Sequence, residues 1–180
     1  MIFNSEERLI KSAQKGSDKA WLALVKRHEK RLYNQCLRLL RHPDDALDVM
    51  QETFISAYQG LARFDGRSQL HTWLFRIAYN KSAEHFRRHR EHTSLDEATE
   101  PRSNVLHLER PLMQAQRNDE IIAALATLPF EQRVVVEMKF FQHCTFDDIA
   151  KQLDISPNTV KTRLYTALGR IKPQLEVNDG

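Results

Sequence analysis

Glycine is scarce in this 180-residue chain, at five residues, and nowhere do apolar and polar positions alternate in the period of two that a half-buried strand needs. The expected fold class is therefore all-α. Cys36 and Cys144 are the only cysteines and lie far apart without CxxC spacing, which excludes a zinc signature and a disulfide framework and leaves two buried free thiols as the expectation. No run of about eighteen uncharged apolar residues is present, and the opening MIFNSEERLIK lacks an apolar segment followed by a cleavage site, so a cytoplasmic protein is expected. Internal repeats and low-complexity tracts are also missing. No carboxylate pair, nucleophile beside a base, or phosphate loop stands out, and this argues against an enzyme.

What is present is an uneven charge. The net charge is +3, but Lys and Arg outnumber Asp and Glu by 17 to 11 in residues 1–92, trail by 2 to 4 in residues 93–113 and by 8 to 9 in residues 114–180. The middle stretch also loses apolar periodicity and holds Pro101 and Pro111, which marks it as a linker between two small helical domains, 1–92 and 114–176.

In the first domain Ser5 caps a short helix that Gly16 stops. From Asp18 to Leu40, Trp21, Leu24, Val25, Leu32, Cys36 and Leu39 recur at three- and four-residue steps and form one buried stripe, with His28 on it as a hydrogen-bonded core residue. After His42-Pro43, Asp44 is expected to cap a helix running to about Leu61. With Leu47 as reference and about 100° per residue, Met50, Phe54, Tyr58 and Leu61 fall on its side, the expected core face. Asp45, Asp48, Glu52 and Gln59 fall opposite, with Gln51 on the border. No Lys or Arg stands four residues on from these acids, so a docking surface for a basic partner competes with an ordinary solvated face.

The segment 64–66, Phe-Asp-Gly, reads as a turn, and Ser68 is expected to cap a helix carrying Leu70, Trp73, Leu74, Ile77 and Ala78 inward. Beyond Asn80 come Lys81, Arg87, Arg88 and Arg90, interleaved with histidines. Aromatics beside arginines suit single-stranded bases, which stack on flat apolar faces while cations hold the backbone; Trp73 taken alone reads as core before it reads as a base platform. His85, His89 and His92 share one helix face, but adjacent arginines and the lack of a carboxylate second shell argue against a metal there. No cofactor is expected.

Four helices fit the second domain: one with Ile121, Ile122, Leu125 and Leu128 buried, one from Glu131 to Phe141, one from Thr145 to Leu153, and one capped by Ser156 with Pro157 at its first position. The last two, joined by a tight turn, make a helix-turn-helix. On the final helix Val160, Leu164, Ala167 and Ile171 cluster within about 40°. Thr162 and Gly169 lie opposite, shouldered by Asn158, Tyr165 and Thr166, while Lys161 and Lys172 edge one side and Arg163 and Arg170 the other. Small polar residues then face base edges and cations reach the phosphates on both walls of a major groove.

Taken together, DVMQETF at 48–54, RFDGRSQLHTWLFRIAYN at 63–80, LPFEQR at 128–133 and NTVKTRL at 158–164 resemble, in order and spacing, the motifs of the extracytoplasmic-function sigma factors, compact specificity subunits of bacterial RNA polymerase. The resemblance covers most of the chain. It implies that Asp45, Asp48, Gln51 and Glu52 dock on the clamp coiled coil of the polymerase's largest subunit, with the flap of the second-largest subunit as a further contact. It also implies that Phe64, Thr72, Trp73, Arg76, Asn80, Lys81, Arg87 and Arg88 open and read the −10 promoter element. Asn158, Thr159, Lys161, Thr162, Arg163, Tyr165, Thr166 and Arg170 would read the −35 element as duplex. An anti-sigma protein and a stress or envelope-response regulon are implied in the same way. With one Trp in the melting segment, modest melting power and strict promoter dependence are expected.

Three departures bear on which −35 sequence is read. Asn158 stands where the family has glycine, GlnHisCysThr at 142–145 lacks the glycine usual before the third helix, and Thr166 replaces a common cation. A dimeric helix-turn-helix regulator would explain residues 114–176 but leave the acidic helix and HTWLFRIAYN unexplained. A metal-dependent hydrolase built on the histidine row is the other alternative, and bound metal in the purified protein is what would support it.

Overall fold

The computed structural model describes residues 5–93 and 112–176. Every regular element among them is helical, and they group into two compact units. The linker expected at 93–113 lies outside the described residues except at its ends.

The first unit is built from α1 (Ser5–Gln14), α2 (Asp18–Leu40) as far as Cys36, α3 (Pro43–Gly60) from Asp44 onward, a 3-10 turn (Leu61–Arg63) and α4 (Leu70–Thr93). Gly16, at φ 91°, takes the left-handed conformation that ends α1 without a steric penalty, and the Ser17 hydroxyl accepts from Ala20 N at 3.3 Å to start α2. The α2 stripe is as expected in its centre, with Leu24, His28, Leu32 and Cys36 buried. His28 Nε2 lies 3.3 Å from the Glu6 carboxylate, within ion-pair distance but off line for a strong hydrogen bond.

Two expectations for α3 are corrected. It begins at Pro43, so Asp44 and Asp45 sit in its first turn, where they favour the helix dipole, and Asp44 is not the cap. More consequentially, its core face is Ala46, Val49, Thr53, Phe54 and Ala57, while Leu47 and Tyr58 are 41% and 47% exposed. The helix is rotated relative to the face centred on Leu47 because small residues let α3 approach its neighbours closely, and the Thr53 hydroxyl is satisfied by Val49 O at 2.7 Å. On α4 the first amide bonds, from Thr72 N and Trp73 N, go to Gln69 O, one residue later than a cap at Ser68 would place them. Leu70, Leu74, Phe75 and Ala78 are buried; Phe75 rather than Ile77 fills the core, and each such large side chain stabilises by about 1.5–3 kcal/mol.

The second unit takes Leu37–Pro43 together with α5 (Leu112–Ala126), α6 (Phe130–Val136), a π-helical turn (Glu137–Phe141), α7 (Phe146–Leu153) and α8 (Pro157–Glu176). α8 packs on α5, α6 and α7 through Val160, Leu164, Ala167 and Ile171, all buried. The single helix expected from Glu131 to Phe141 is instead α6 followed by the π turn, closed by Gln142 N donating to Glu137 O at 3.1 Å. Within this unit Arg38 holds the buried Glu137 in a two-pronged pair, 2.5 and 2.7 Å, with its guanidinium over the Phe141 ring.

Candidate nucleic-acid interface

α7 and α8 form the helix-turn-helix. Thr145 begins α7 with a capping box: its hydroxyl accepts from Asp148 N at 3.1 Å and Thr145 N donates to the Asp148 carboxylate at 3.1 Å. The Thr145 hydroxyl bond, followed by the backbone bond, holds the Asp148 carboxyl below the usual carboxylate range. Asp154, at φ 53°, ends α7 in the left-handed region, and Ser156 Oγ accepts from Thr159 N at 3.1 Å to start α8. These caps fix the turn between the helices from both sides.

On α8 the face opposite the core carries Asn158, Thr162, Tyr165, Thr166 and Gly169, all exposed, Tyr165 at 66%. Lys161 and Arg170 are exposed, and Arg163 is half-buried; none has a carboxylate partner among the described residues. Lys161 Nζ rests 5.5 Å from the centre of the Phe146 ring, which steadies the side chain without neutralising it. Thr159 is the exception, being half-buried with its hydroxyl 2.8 Å from that of Ser156, where it serves the cap.

In the first unit α4 presents Arg76, Asn80 and Arg87 as exposed residues on one side, with Thr72 and Trp73 half-buried near its start. Phe64 is buried and its ring lies 5.1 Å from that of Trp73. Lys81 and Arg88 point differently: Lys81 Nζ is 3.7 Å from Glu52 on α3, and Arg88 pairs with Glu84 one turn back. His85 Nε2 is 3.3 Å from Asp45, so the acidic face of α3, which has no neutralising partner on its own helix, meets one cation, Lys81, and one imidazole from α4. Asp48, Gln51 and Glu52 are exposed. Of the histidine row, the His85 and His89 rings stack at 6.0 Å, the His92 side chain lies outside the described ones, and no group of three or more metal-ligating side chains gathers among the described residues.

Residues 24–92 match the family described as Sigma-70 region 2, and residues 118–171 match Sigma-70, region 4. Curated relatives span nearly the whole chain. RNA polymerase sigma-H factor of Pseudomonas aeruginosa is 26% identical over 95% of this chain and 94% of its own, and ECF RNA polymerase sigma factor SigW of Bacillus subtilis is 27% identical over 94% and 96%. The chain belongs to the extracytoplasmic-function sigma factors. It is thus a transcription initiation factor that binds core RNA polymerase and directs it to promoters, with no reaction of its own. The fold agrees with two solved structures at 22% identity. The sigma factor RpoE of Bartonella quintana, solved with the anti-sigma factor NepR, has a TM-score of 0.71 over 88% of this chain and 98% of that one; CnrH, solved with the cytosolic domain of CnrY, has 0.66 over 97% and 99%.

Sequence reasoning missed several features of this sigma factor. Leu47, Ile55 (59% exposed) and Tyr58 form an apolar edge beside Gln51 on the outer side of α3, running parallel to Asp45, Asp48 and Glu52. His143, at φ 56°, adopts the left-handed conformation in the turn before α7, which contains no glycine, at a backbone cost. Arg133, the arginine of LPFEQR, is buried, and burial first, then Arg41, pushes its guanidinium down to about 10. The only signal available for α3 was its pair of alanines, Ala46 and Ala57, which are three turns apart on one side.

Proposed function

We propose that this sigma factor divides its work between domains 1–92 and 114–176, joined through 93–113. Its α3 face, with Asp45, Asp48, Gln51 and Glu52 beside the apolar edge, docks on the clamp coiled coil of the polymerase's largest subunit. A helical partner offering apolar side chains flanked by cations matches both halves of that face. The flap of the second-largest subunit is the second polymerase contact. On DNA, α8 lies in the major groove of the −35 element: Asn158, Thr162, Tyr165 and Thr166 face base edges, Thr159 completes the helix start, and Lys161, Arg163 and Arg170 hold phosphates. At the −10 element Thr72, Trp73, Arg76 and Asn80 meet the opening strand, with Lys81, Arg87 and Arg88 along its backbone and Phe64 supporting Trp73 from inside. Holding an extruded base offsets an unstacking cost of a few kcal/mol and shifts the duplex toward the open state.

The observation that carries this reading is α8, a firmly capped helix with a polar outer face edged by Lys161, Arg163 and Arg170, none of which has a carboxylate partner among the described residues. Two solved relatives are complexes with partner proteins, one of them named an anti-sigma factor, and a protein inhibitor of that kind is proposed here too. The sigma factor's own work is proposed to lie in the bacterial cytoplasm, on a stress or envelope-response regulon; no helix among the described residues is long and apolar enough to cross a membrane. Run-off transcription on genomic fragments, with core polymerase and with or without this protein, is the test. Promoter-specific transcripts that require the factor are expected, and their absence from every fragment would overturn the reading.

A further inference from the structure

α1 lies outside the residues that match region 2, yet it reaches into the segment proposed to open DNA. Gln14, the last residue of α1, donates from Nε2 to Leu61 O at 3.0 Å and to Phe64 O at 2.9 Å. Only the amide nitrogen of a glutamine can serve two carbonyls, since it alone carries two hydrogens. Leu61 opens the 3-10 turn and Phe64 caps its end; Phe64 N, bonded to Leu61 O at 3.0 Å, closes the turn, so Gln14 adds a second donor to Leu61 O and supplies one to Phe64 O.

The turn is the seat of Trp73. Its indole touches the backbone of Gly60, where a Cβ would stand 3.4 Å from Cζ2, and tilts at 47° against the Phe64 ring. Gly60 and Phe64 bracket the turn that Gln14 grips, so the position of the platform depends on a side chain about fifty residues earlier in the chain. Trp73 is half-buried, with part of its ring held by the turn and part exposed. A tilt of the turn would change how much of the ring a base can stack on, and stacking needs a defined plane.

We propose that Gln14 is a positioning residue for promoter opening: by clamping Leu61 O and Phe64 O it fixes the Gly60–Phe64 seat and hence the Trp73 face offered to the unstacking base. This rests on the −10 reading of Trp73 given above. Gln14 touches no DNA in this role, and it has no part in docking polymerase or in binding the −35 duplex.

The test uses full-length protein with core polymerase on a promoter found by run-off transcription, supplied either as duplex or with its −10 region already unpaired. Gln14→Glu keeps the shape of the side chain but removes both donors, and Gln14→Leu removes the polar group altogether. Both are expected to slow opening of the duplex, followed by permanganate reactivity, about five- to ten-fold, the size expected for one or two lost hydrogen bonds. On the unpaired template, and in affinity for polymerase, both should match the wild type. An equal loss on the two templates would mean general damage to the fold and would overturn the proposal. Trp73→Ala separates the two ideas. If it opens duplex at the wild-type rate, the −10 reading of Trp73 fails and this inference with it; if it slows opening while both Gln14 variants do not, only the inference fails. In a Trp21→Phe background, where Trp73 is the sole tryptophan, Gln14→Glu should also change its emission in the free protein, and an unchanged spectrum would contradict the clamp.

Discussion

On α8 the cations Lys161, Arg163 and Arg170 have no carboxylate partner among the described residues, whereas on α3 and α4 two cations already face acids, Lys81 with Glu52 and Arg88 with Glu84, and His85 stands beside Asp45. Exposed pairs of this kind contribute about 0–1 kcal/mol each, so they are cheap to exchange for an outside partner but lower the field seen from a distance. The C-terminal surface therefore offers its charge to DNA as it stands. The N-terminal one presents a partly self-neutralised face whose pairs a partner must replace, and its aromatic platform is seated on a turn held by another helix. A duplex has one shape to match, which a rigid helix can meet alone; opening a duplex while gripping polymerase needs surfaces that can be traded.

The comparison breaks most visibly if the acidic face of α3 is reversed. Asp48→Lys with Glu52→Lys should weaken polymerase binding about 100-fold or more, by leaving like charges against a basic partner, while helical circular dichroism stays unchanged. Unaltered affinity would remove α3 as the docking surface. Next in size, exchanging Asn158 and Thr162 for other polar residues should change preference among −35 sequences by about 1–3 kcal/mol per altered base contact, read in a competition assay. Arg163→Ala, in contrast, should weaken all sites alike and reduce the slope of log affinity against log salt by about one; a selective effect would move Arg163 from the phosphates to the bases.

Thr145→Ala tests how far the rigidity of the C-terminal reader depends on its caps, with an expected loss of about 1 kcal/mol at neutral pH by calorimetry. Because the Asp148 carboxyl lies below its unfolded value, its contribution is present above that value and is lost as pH falls through the folded one. The wild-type advantage over Thr145→Ala should accordingly shrink below about pH 4. The smallest effect is expected in the other unit. Burial first, against an opposing pull from Glu6, lowers the pKa of His28, and burial followed by Arg31 lowers that of His71. The unfolded chain then binds more protons than the folded one, so stability should decline as pH drops below about 6.5 and keep declining until the folded groups titrate. Both tryptophans, Trp21 and Trp73, lie in this unit, so urea midpoints by fluorescence report it alone, and His28→Gln should flatten the decline.

The α8 face was legible in advance because a long helix with Ser156 and Pro157 at its start and four apolar residues, Val160, Leu164, Ala167 and Ile171, on one side has only one plausible orientation. α3 was not. A wheel weighted by large apolar side chains put Leu47 and Tyr58 inward, but close packing favoured the side with Ala46, Thr53 and Ala57, and the large residues were left at the surface. The ion pairs between α3 and α4 were equally out of reach, since Glu52 and Lys81 lie on different helices and no local spacing joins them.

The amino-acid order by itself determined the all-α class, the helix starts set by Thr145 and Ser156, the exposed polar face of α8 and, through four motifs in register, the family. These depend on periodicity and capping, which act within a few residues. Only the tertiary structure decided the rotation of α3, the pairing of its Glu52 with Lys81, the left-handed His143 and the grip of Gln14 on the seat of Trp73. Each of these follows from which helices come close enough to exclude water and share donors, a condition that forms only when distant parts of the chain meet.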